Sequence, residues 1–386
     1  MAKTIFDPSF FDPSLSSTQL QSLFIFGLMI SIILSSCTTG AAVHQSQSPI
    51  IRFGAVFPLT GSTANQGLAA RLGMELAAED INSKGGIDGR NLSIIIEDGA
   101  NNKAVATTAS KKLVEIDKVN ALFAVTTPMA GAIAPTAEES KIPFIYGSAA
   151  VSFALNKSFV FKDYADASDT CSILVNKALS SGHQKIALIG TDSEFTYLCR
   201  DGAQKSVKLS DFETYAVGDA DFRTQVTKIK DSGASAVLVF AFSADCPNIF
   251  KQMQELNLSA QLMLPFQSFA CGSNENTNAF PDILNGSWGS DVSVDESSSD
   301  PRLQAMLSRI KAKGGSTHLK TTLVVYDSVT AMAKAYGGCQ DTVCAAGNLR
   351  KTDLEGVSGK ISYQGGQIAN RSIILTSFDG DIWRTG

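Results

Sequence analysis

Two short loops carry the residue types best suited to hold a negative charge. Val125-Thr126-Thr127-Pro128-Met129 leads from a short apolar run into a helix expected to begin near Ala130. The free amides of a first helical turn, with the hydroxyls of Thr126 and Thr127, can grip a carboxylate there through charge-assisted hydrogen bonds. Tyr146-Gly147-Ser148-Ala149-Ala150 follows the next apolar run and offers Ser148 in the same setting. Farther along, Phe195, Phe242, Ser243, Phe266 and Gln267 each fall just after an expected strand. Their rings can wall off an apolar portion of a ligand. Plainer roles compete: a threonine before a helix also caps it, and in a chain with 22 phenylalanines several of these rings can be simple core.

Other chemistries find little support. The chain has no GxSxG, Walker or GxGxxG motif, and Gly85-Gly86-Ile87-Asp88-Gly89 follows a helix instead of opening one, the wrong order for a phosphate cradle. The 3 histidines are scattered: His44 in a patternless polar stretch, His183 and His318 in glycine-flanked turns where surface exposure is expected. No CxxC or HxxxH spacing points to a metal, and no cofactor signature is present. An enzyme is therefore not expected. A net charge of −5 with no basic run gives no electrostatic reason to bind nucleic acid. Of 7 cysteines, setting Cys37 aside leaves Cys171, Cys199, Cys246, Cys271, Cys339 and Cys344, an even number in keeping with an oxidising compartment. Of the possible pairings, order and spacing favour Cys171 with Cys199, Cys246 with Cys271, and Cys339 with Cys344.

The elements that must position these residues alternate strand and helix. Arg52 to Pro58 reads as a strand, and the stretch from Gly67 as a helix with Ala70, Met74, Ala77 and Ile81 on one apolar ridge and Arg71, Glu75 and Glu79 opposite. Gly85-Gly86 ends that helix and Asp88-Gly89 turns the chain into a buried strand, Leu92 to Ile96. Helices at Lys103 to Ile116 and Ala130 to Glu139 and strands at Ala121 to Ala124 and Phe144 to Tyr146 complete one series. After a lapse in the apolar pattern at Lys162 to Ala167, a second series runs through helices at Ser168 to Leu179, Leu198 to Leu209, Phe222 to Asp231 and Pro247 to Leu256. Strands at Lys185 to Gly190, Phe212 to Tyr215, Ala236 to Phe240 and Gln261 to Leu264 alternate with them. Asp291 to Asp300 reads as a solvated acidic connection, before helices at Arg302 to Lys313 and Thr321 to Tyr336. Two βα series in 386 residues with 44% apolar content imply an α/β protein with two lobes.

The runs FGAVFPLTGSTANQG, GMELAAEDINSKGGIDGR, EDGANN and IPFIYGSAA resemble the periplasmic branched-chain amino-acid-binding proteins of ABC transporters, the type I solute-binding family, from about Ile50 to the end. The resemblance implies two doubly wound lobes joined by a three-stranded hinge, with lobe 1 at 50–162 plus 291–368 and lobe 2 at 163–290 plus 369–386. Hinge crossings are expected at Lys162 to Tyr164, Ser290 to Val292 and Gly366 to Asn370, with Ser372 to Ser377 returning as a strand of lobe 2. It also implies that Thr127, Ser148 and Ala150 stand where relatives contact the ligand's carboxylate and amino group. Ala150 departs from the threonine common there. Where relatives pair the ligand's ammonium with a glutamate, this chain has Phe266 or Gln267, leaving Glu194 and Asp245 as the nearest anions. The function implied is capture of an amino acid or similar small carboxylate or amide by a monomer and delivery to an ABC permease. A receptor reporting the same solute to a sensor protein is the alternative.

Leu23 to Leu34 is an apolar run of 12 residues, the length of a signal-peptide core and too short to span a bilayer comfortably. Leu34-Ser35-Ser36-Cys37 resembles a bacterial lipobox, so 1–36 is expected to be removed and Cys37 to carry the lipid, with 37–49 as tether. An ordinary secretory signal is the competing reading, because the long n-region carries only Lys3 as a positive charge. Either way export is expected, and the lipobox adds attachment to a membrane in the periplasm or at the cell surface.

Overall fold

The computed structural model describes residues 50–385 apart from Ser62, Val217, Ser268, Phe269, Ser293, 295–298, Thr317, Gly365 and Asn370. The expected signal peptide, Cys37 and the tether lie outside the described residues. In the first sheet, β1 (Ile50–Phe57), β2 (Asn91–Asp98), β3 (Ala121–Val125), β4 (Phe144–Gly147) and β5 (Val160–Lys162) are ordered β2-β1-β3-β4-β5, all parallel. Helices α1 (Ala64–Ser83), α2 (Lys103–Glu115) and α3 (Thr127–Glu139) make the crossovers. A parallel sheet needs such crossovers, and they cover its faces.

The packing of α1 shows why its sequence reads as it does. Gly67, Ala70, Met74 and Ala77 are buried on its inner face, and Arg71 bonds Glu75 at 2.7 Å on the outer one. Gly73 lies so near helix α11 (Leu319–Ala335) that a Cβ there would sit 2.2 Å from the Thr322 carbonyl oxygen, so only glycine permits this approach. Gly85 and Gly86, at φ 94° and 75°, then end the helix. β2 departs from the expected buried strand: it is the sheet's edge, and among its residues only Leu92 is buried.

The second sheet is ordered β14-β13-β10-β9-β8-β6-β7. It comprises β6 (Ile186–Thr191), β7 (Asp211–Tyr215), β8 (Ala236–Phe240), β9 (Gln261–Pro265), β10 (Trp288–Val292), β13 (Ile373–Phe378) and β14 (Trp383–Thr385), with the last two antiparallel to their neighbours. Helices α4 (Ala167–Ser180), α5 (Glu194–Ala203), α6 (Arg223–Asp231) and α7 (Cys246–Glu255) flank it. α5 corrects the expected helix at Leu198 to Leu209. Ser193 accepts the Thr196 amide at its N-cap, so the helix starts earlier, Phe195 lies inside it, and it stops at Ala203. The expected connection from Asp291 also begins later, since Asp291 and Val292 complete β10.

The remainder is filled by α8 (Asn274–Ala279), α9 (Pro281–Leu284), α10 (Pro301–Ala312), α12 (Thr342–Leu349) and the hairpin of β11 (Asp353–Gly356) with β12 (Gly359–Ser362). Of these only α10 was expected. Sulfurs are joined between Cys171 and Cys199, Cys246 and Cys271, and Cys339 and Cys344. Among the described residues no helix is long and apolar enough to cross a membrane.

The chain crosses between the two sheets three times, after β5, after β10 and before β13. The first and third crossings are knitted together, with the Lys162 amide donating to the Gln367 carbonyl and the Ala369 amide to the Lys162 carbonyl, both at 2.8 Å. Beside them Arg371 donates to both carboxylate oxygens of Asp163, at 2.6 and 3.0 Å, and the Ser328 hydroxyl adds a third bond at 2.6 Å. All three side chains are buried. Lys320 of α11 lies 3.6 Å from Asp291 at the second crossing.

Candidate functional site

A cavity of about 1030 Å³ opens at the carboxyl ends of the strands, between the two sheets. Lobe 1 supplies the loops that follow its strands. Thr63 precedes α1, Asn101 follows β2, Thr126 precedes α3 and Thr127 opens it, three residues ahead of the expected start at Ala130, and Ser148 follows β4. Thr126 takes φ 71°, a conformation that costs a β-branched residue on the order of 1–3 kcal/mol and marks a constrained turn. Its hydroxyl does not cap the helix; it donates to Asn101 Oδ1 at 2.7 Å. The Ala130 amide closes the first turn onto the Thr126 carbonyl at 3.1 Å, which leaves the earlier amides of α3 without intrahelical partners. Among the described residues Thr63 Oγ1 and Ser148 Oγ are buried and have no hydrogen-bond partner. Both residues line the cavity.

Lobe 2 faces this polar wall with aromatic rings. Phe195 stacks on Phe240 at 3.9 Å and lies parallel to Phe242 at 6.3 Å, the two planes within 2°. Phe266, at φ 51°, backs Phe195 at 5.9 Å and Tyr164 at 5.6 Å. Tyr164, from the first crossing, lines the cavity, and its carbonyl accepts the ammonium of buried Lys162, whose pKa burial pulls down to about 8. The lobes also touch at the cavity edge, where the Ser152 hydroxyl donates to Glu194 Oε1 at 2.7 Å.

The chain matches the family described as periplasmic binding protein over residues 50–381. The chain belongs to that family. A leucine-, isoleucine-, valine-, threonine- and alanine-binding protein of Pseudomonas aeruginosa is 24% identical over 370 residues, 90% of this chain and 94% of its own. The structure resembles the branched-chain amino acid transporter substrate binding protein of Streptococcus pneumoniae in complex with isoleucine, with TM-score 0.78, 21% identity, and 87% and 98% of the two chains covered. It also resembles a solute binding protein of an R. palustris ABC transporter in complex with 4-hydroxybenzoate, with TM-score 0.75, 18% identity, and coverage of 87% and 95%. This protein is thus a solute-binding protein with the two-lobed type I fold.

Of the residues singled out in the sequence, this binding protein brings Thr126, Thr127, Ser148, Phe195 and Phe242 onto the cavity wall. Four others lie off it. Ala150 is fully buried, its carbonyl accepting the Tyr146 hydroxyl at 2.9 Å. Ser243 is turned toward Ser273, 2.9 Å away, and Asn276. Phe266 is a buried support, and Gln267 packs against Gly272 and Gly289. Of the two anions, Glu194 lines the cavity, whereas Asp245 accepts the Tyr215 hydroxyl at 2.9 Å and burial pushes its carboxyl up. His183 and His318, expected at the surface, are half-buried; His183 meets Trp288 edge-on at 5.8 Å, and burial lowers the His318 imidazole pKa. Sequence reading missed Thr63, Gln66, Asn101, Tyr164 and Asp192 on the wall. The rule that found Thr127 and Ser148, looking just past each strand, also leads to Thr63, Asn101 and Tyr164 once it is applied to β1, β2 and β5.

Proposed function

We propose that this binding protein captures a small carboxylate with an apolar body, an amino acid or an aromatic acid, between its lobes and delivers it to an ABC permease. One observation carries the choice of a carboxylate: two buried hydroxyls, Thr63 Oγ1 and Ser148 Oγ, stand unsatisfied on the wall of a cavity that the first turn of α3 also lines. Buried polar groups are almost always paired, so a cavity wall that holds two unpaired donors and a positive helix end calls for an anionic acceptor. The parallel rings of Phe195 and Phe242 supply the apolar half of the site. Ligand contacts from both lobes exist only when the lobes are closed, so binding shifts the open–closed equilibrium. Glu194 and Asp192 are the anions that can meet an α-ammonium when the ligand is an amino acid.

The protein works as a monomer and is held at a membrane by a lipid on Cys37. Mass spectrometry of the protein from its native host should find an acylated Cys37 as the first residue; an unmodified Cys37 removes the anchor. The ligand is tested by thermal shift with benzoate, hexanoate and isoleucine beside their amides. A ligand at a hundredfold its Kd stabilises by about 2.7 kcal/mol, so an acid that binds raises Tm by several degrees and its amide does not. If Glu194 meets the ammonium, Glu194→Gln weakens isoleucine and leaves benzoate unaffected.

A further inference from the structure

The cavity is larger than the cleft. Beyond the carboxylate end it continues as a groove between α2 and α3, walled by Ala104, Thr107 and Lys111 on one helix and Ala132, Pro135 and Glu139 on the other. From Lys103 to Lys111 the groove follows α2 for eight residues, about 12 Å at the helical rise of 1.5 Å per residue. At its inner end Gly131 lets the Phe153 ring lie against α3, where a Cβ would meet that ring at 2.9 Å. At about 1030 Å³ the whole space has room for more than a single amino acid, and its groove end is open to solvent, with Lys103, Ala104, Lys111, Pro135 and Glu139 exposed.

The charges along this groove are unspent. Lys112 pairs with Glu97 and Asp117 at 2.7 and 2.9 Å. Its neighbour Lys111 and Lys103, which line the cavity, form no ion pair among the described residues. Glu139 faces them from α3, and the other carboxylates lining the cavity among the described residues, Asp192 and Glu194, belong to lobe 2. A groove of mixed character that leaves the carboxylate end over Ala104, Ala132 and Pro135 and passes two ammonium groups without an ion pair suits a chain with a second anionic end.

We propose that the preferred ligand is an elongated dicarboxylate: one carboxylate lies at Thr63, Thr127 and Ser148, and the chain runs out between α2 and α3 to place the other near Lys111. This rests on the carboxylate reading above and narrows its substrate class. The test is calorimetry on the full chain with hexanoate and with the four-, six-, eight- and ten-carbon α,ω-diacids, repeated on Lys111→Glu. Affinity should climb by about tenfold from the four- to the ten-carbon diacid, since partial burial of methylenes and one exposed ion pair each add a modest factor. In Lys111→Glu the long diacid should lose that advantage, while hexanoate binds as it does to the wild type. Affinity independent of length, with hexanoate still bound and still weakened by Ser148→Ala, overturns the dicarboxylate and leaves the carboxylate site standing. Failure of every acid to bind overturns both.

Discussion

On the proposed reading, Ser148 and Thr63 serve the ligand and not the fold. Each is buried without a partner among the described residues, so deleting it removes no internal hydrogen bond. Thr63→Ala should therefore leave the melting temperature of the free protein unchanged or slightly higher. It should weaken a bound carboxylate about tenfold or more, the worth of one charge-assisted hydrogen bond. Lys162 makes the opposite case, a charge the fold must carry. Its pKa falls from 10.5 to about 8 on burial, so the unfolded chain binds the proton more readily. The folded state is penalised in full below about pH 8, and the penalty fades as pH rises toward 10.5. Lys162→Met should therefore be more stable than wild type at pH 7, on the order of 2–3 kcal/mol, with the gap closing between pH 8 and 10.5 in denaturant titrations. Ser148 was read from the sequence as a carboxylate contact, but neither the burial of its unpaired oxygen nor that of Lys162 was legible there. A serine after an expected strand is visible, but whether its oxygen is paired depends on neighbours far away in the chain.

Helices and strands were legible wherever the apolar period was long, as in α1, α2 and α11, and wherever glycines closed them. They were misread where a cap outranked periodicity: Ser193 starts α5 ahead of its apolar residues and so carries Phe195 and Glu194 into the site on a helix. The strand-to-helix loops of lobe 1 could be found by rule, whereas the strained Thr126 turn and the groove between α2 and α3 arise only once the helices are packed side by side. α5 is bound to α4 by the bridge between Cys171 and Cys199, both fully buried. Replacing both with serine should cost about 2–5 kcal/mol of stability by chemical denaturation. Because α5 bears part of the aromatic wall, ligand affinity should fall too, while replacing Cys339 and Cys344, which do not line the cavity, should lower stability alone.

At the scale of the molecule, the alternation of strand and helix gave the two lobes, and the resemblance gave the hinge. The ionic lock in that hinge was illegible, since Asp163 and Arg371 are 208 residues apart and meet only in the folded chain. Arg371→Met leaves Asp163 buried beside Ser328 without its cation and should destabilise by about 3–5 kcal/mol. Small-angle scattering of the surviving folded fraction should show a looser, more open pair of lobes. The measurement that bears most directly on the central claim compares acid with amide in the closed cleft. Isothermal calorimetry should be run with benzoate against benzamide and isoleucine against isoleucinamide, on wild type and on Ser148→Ala. At least one acid should bind wild type, and its amide should bind at least tenfold more weakly; Ser148→Ala should weaken the acid by about tenfold to a hundredfold and the amide hardly at all. Acid and amide binding equally well, or losing equally in Ser148→Ala, would contradict a carboxylate held at this wall.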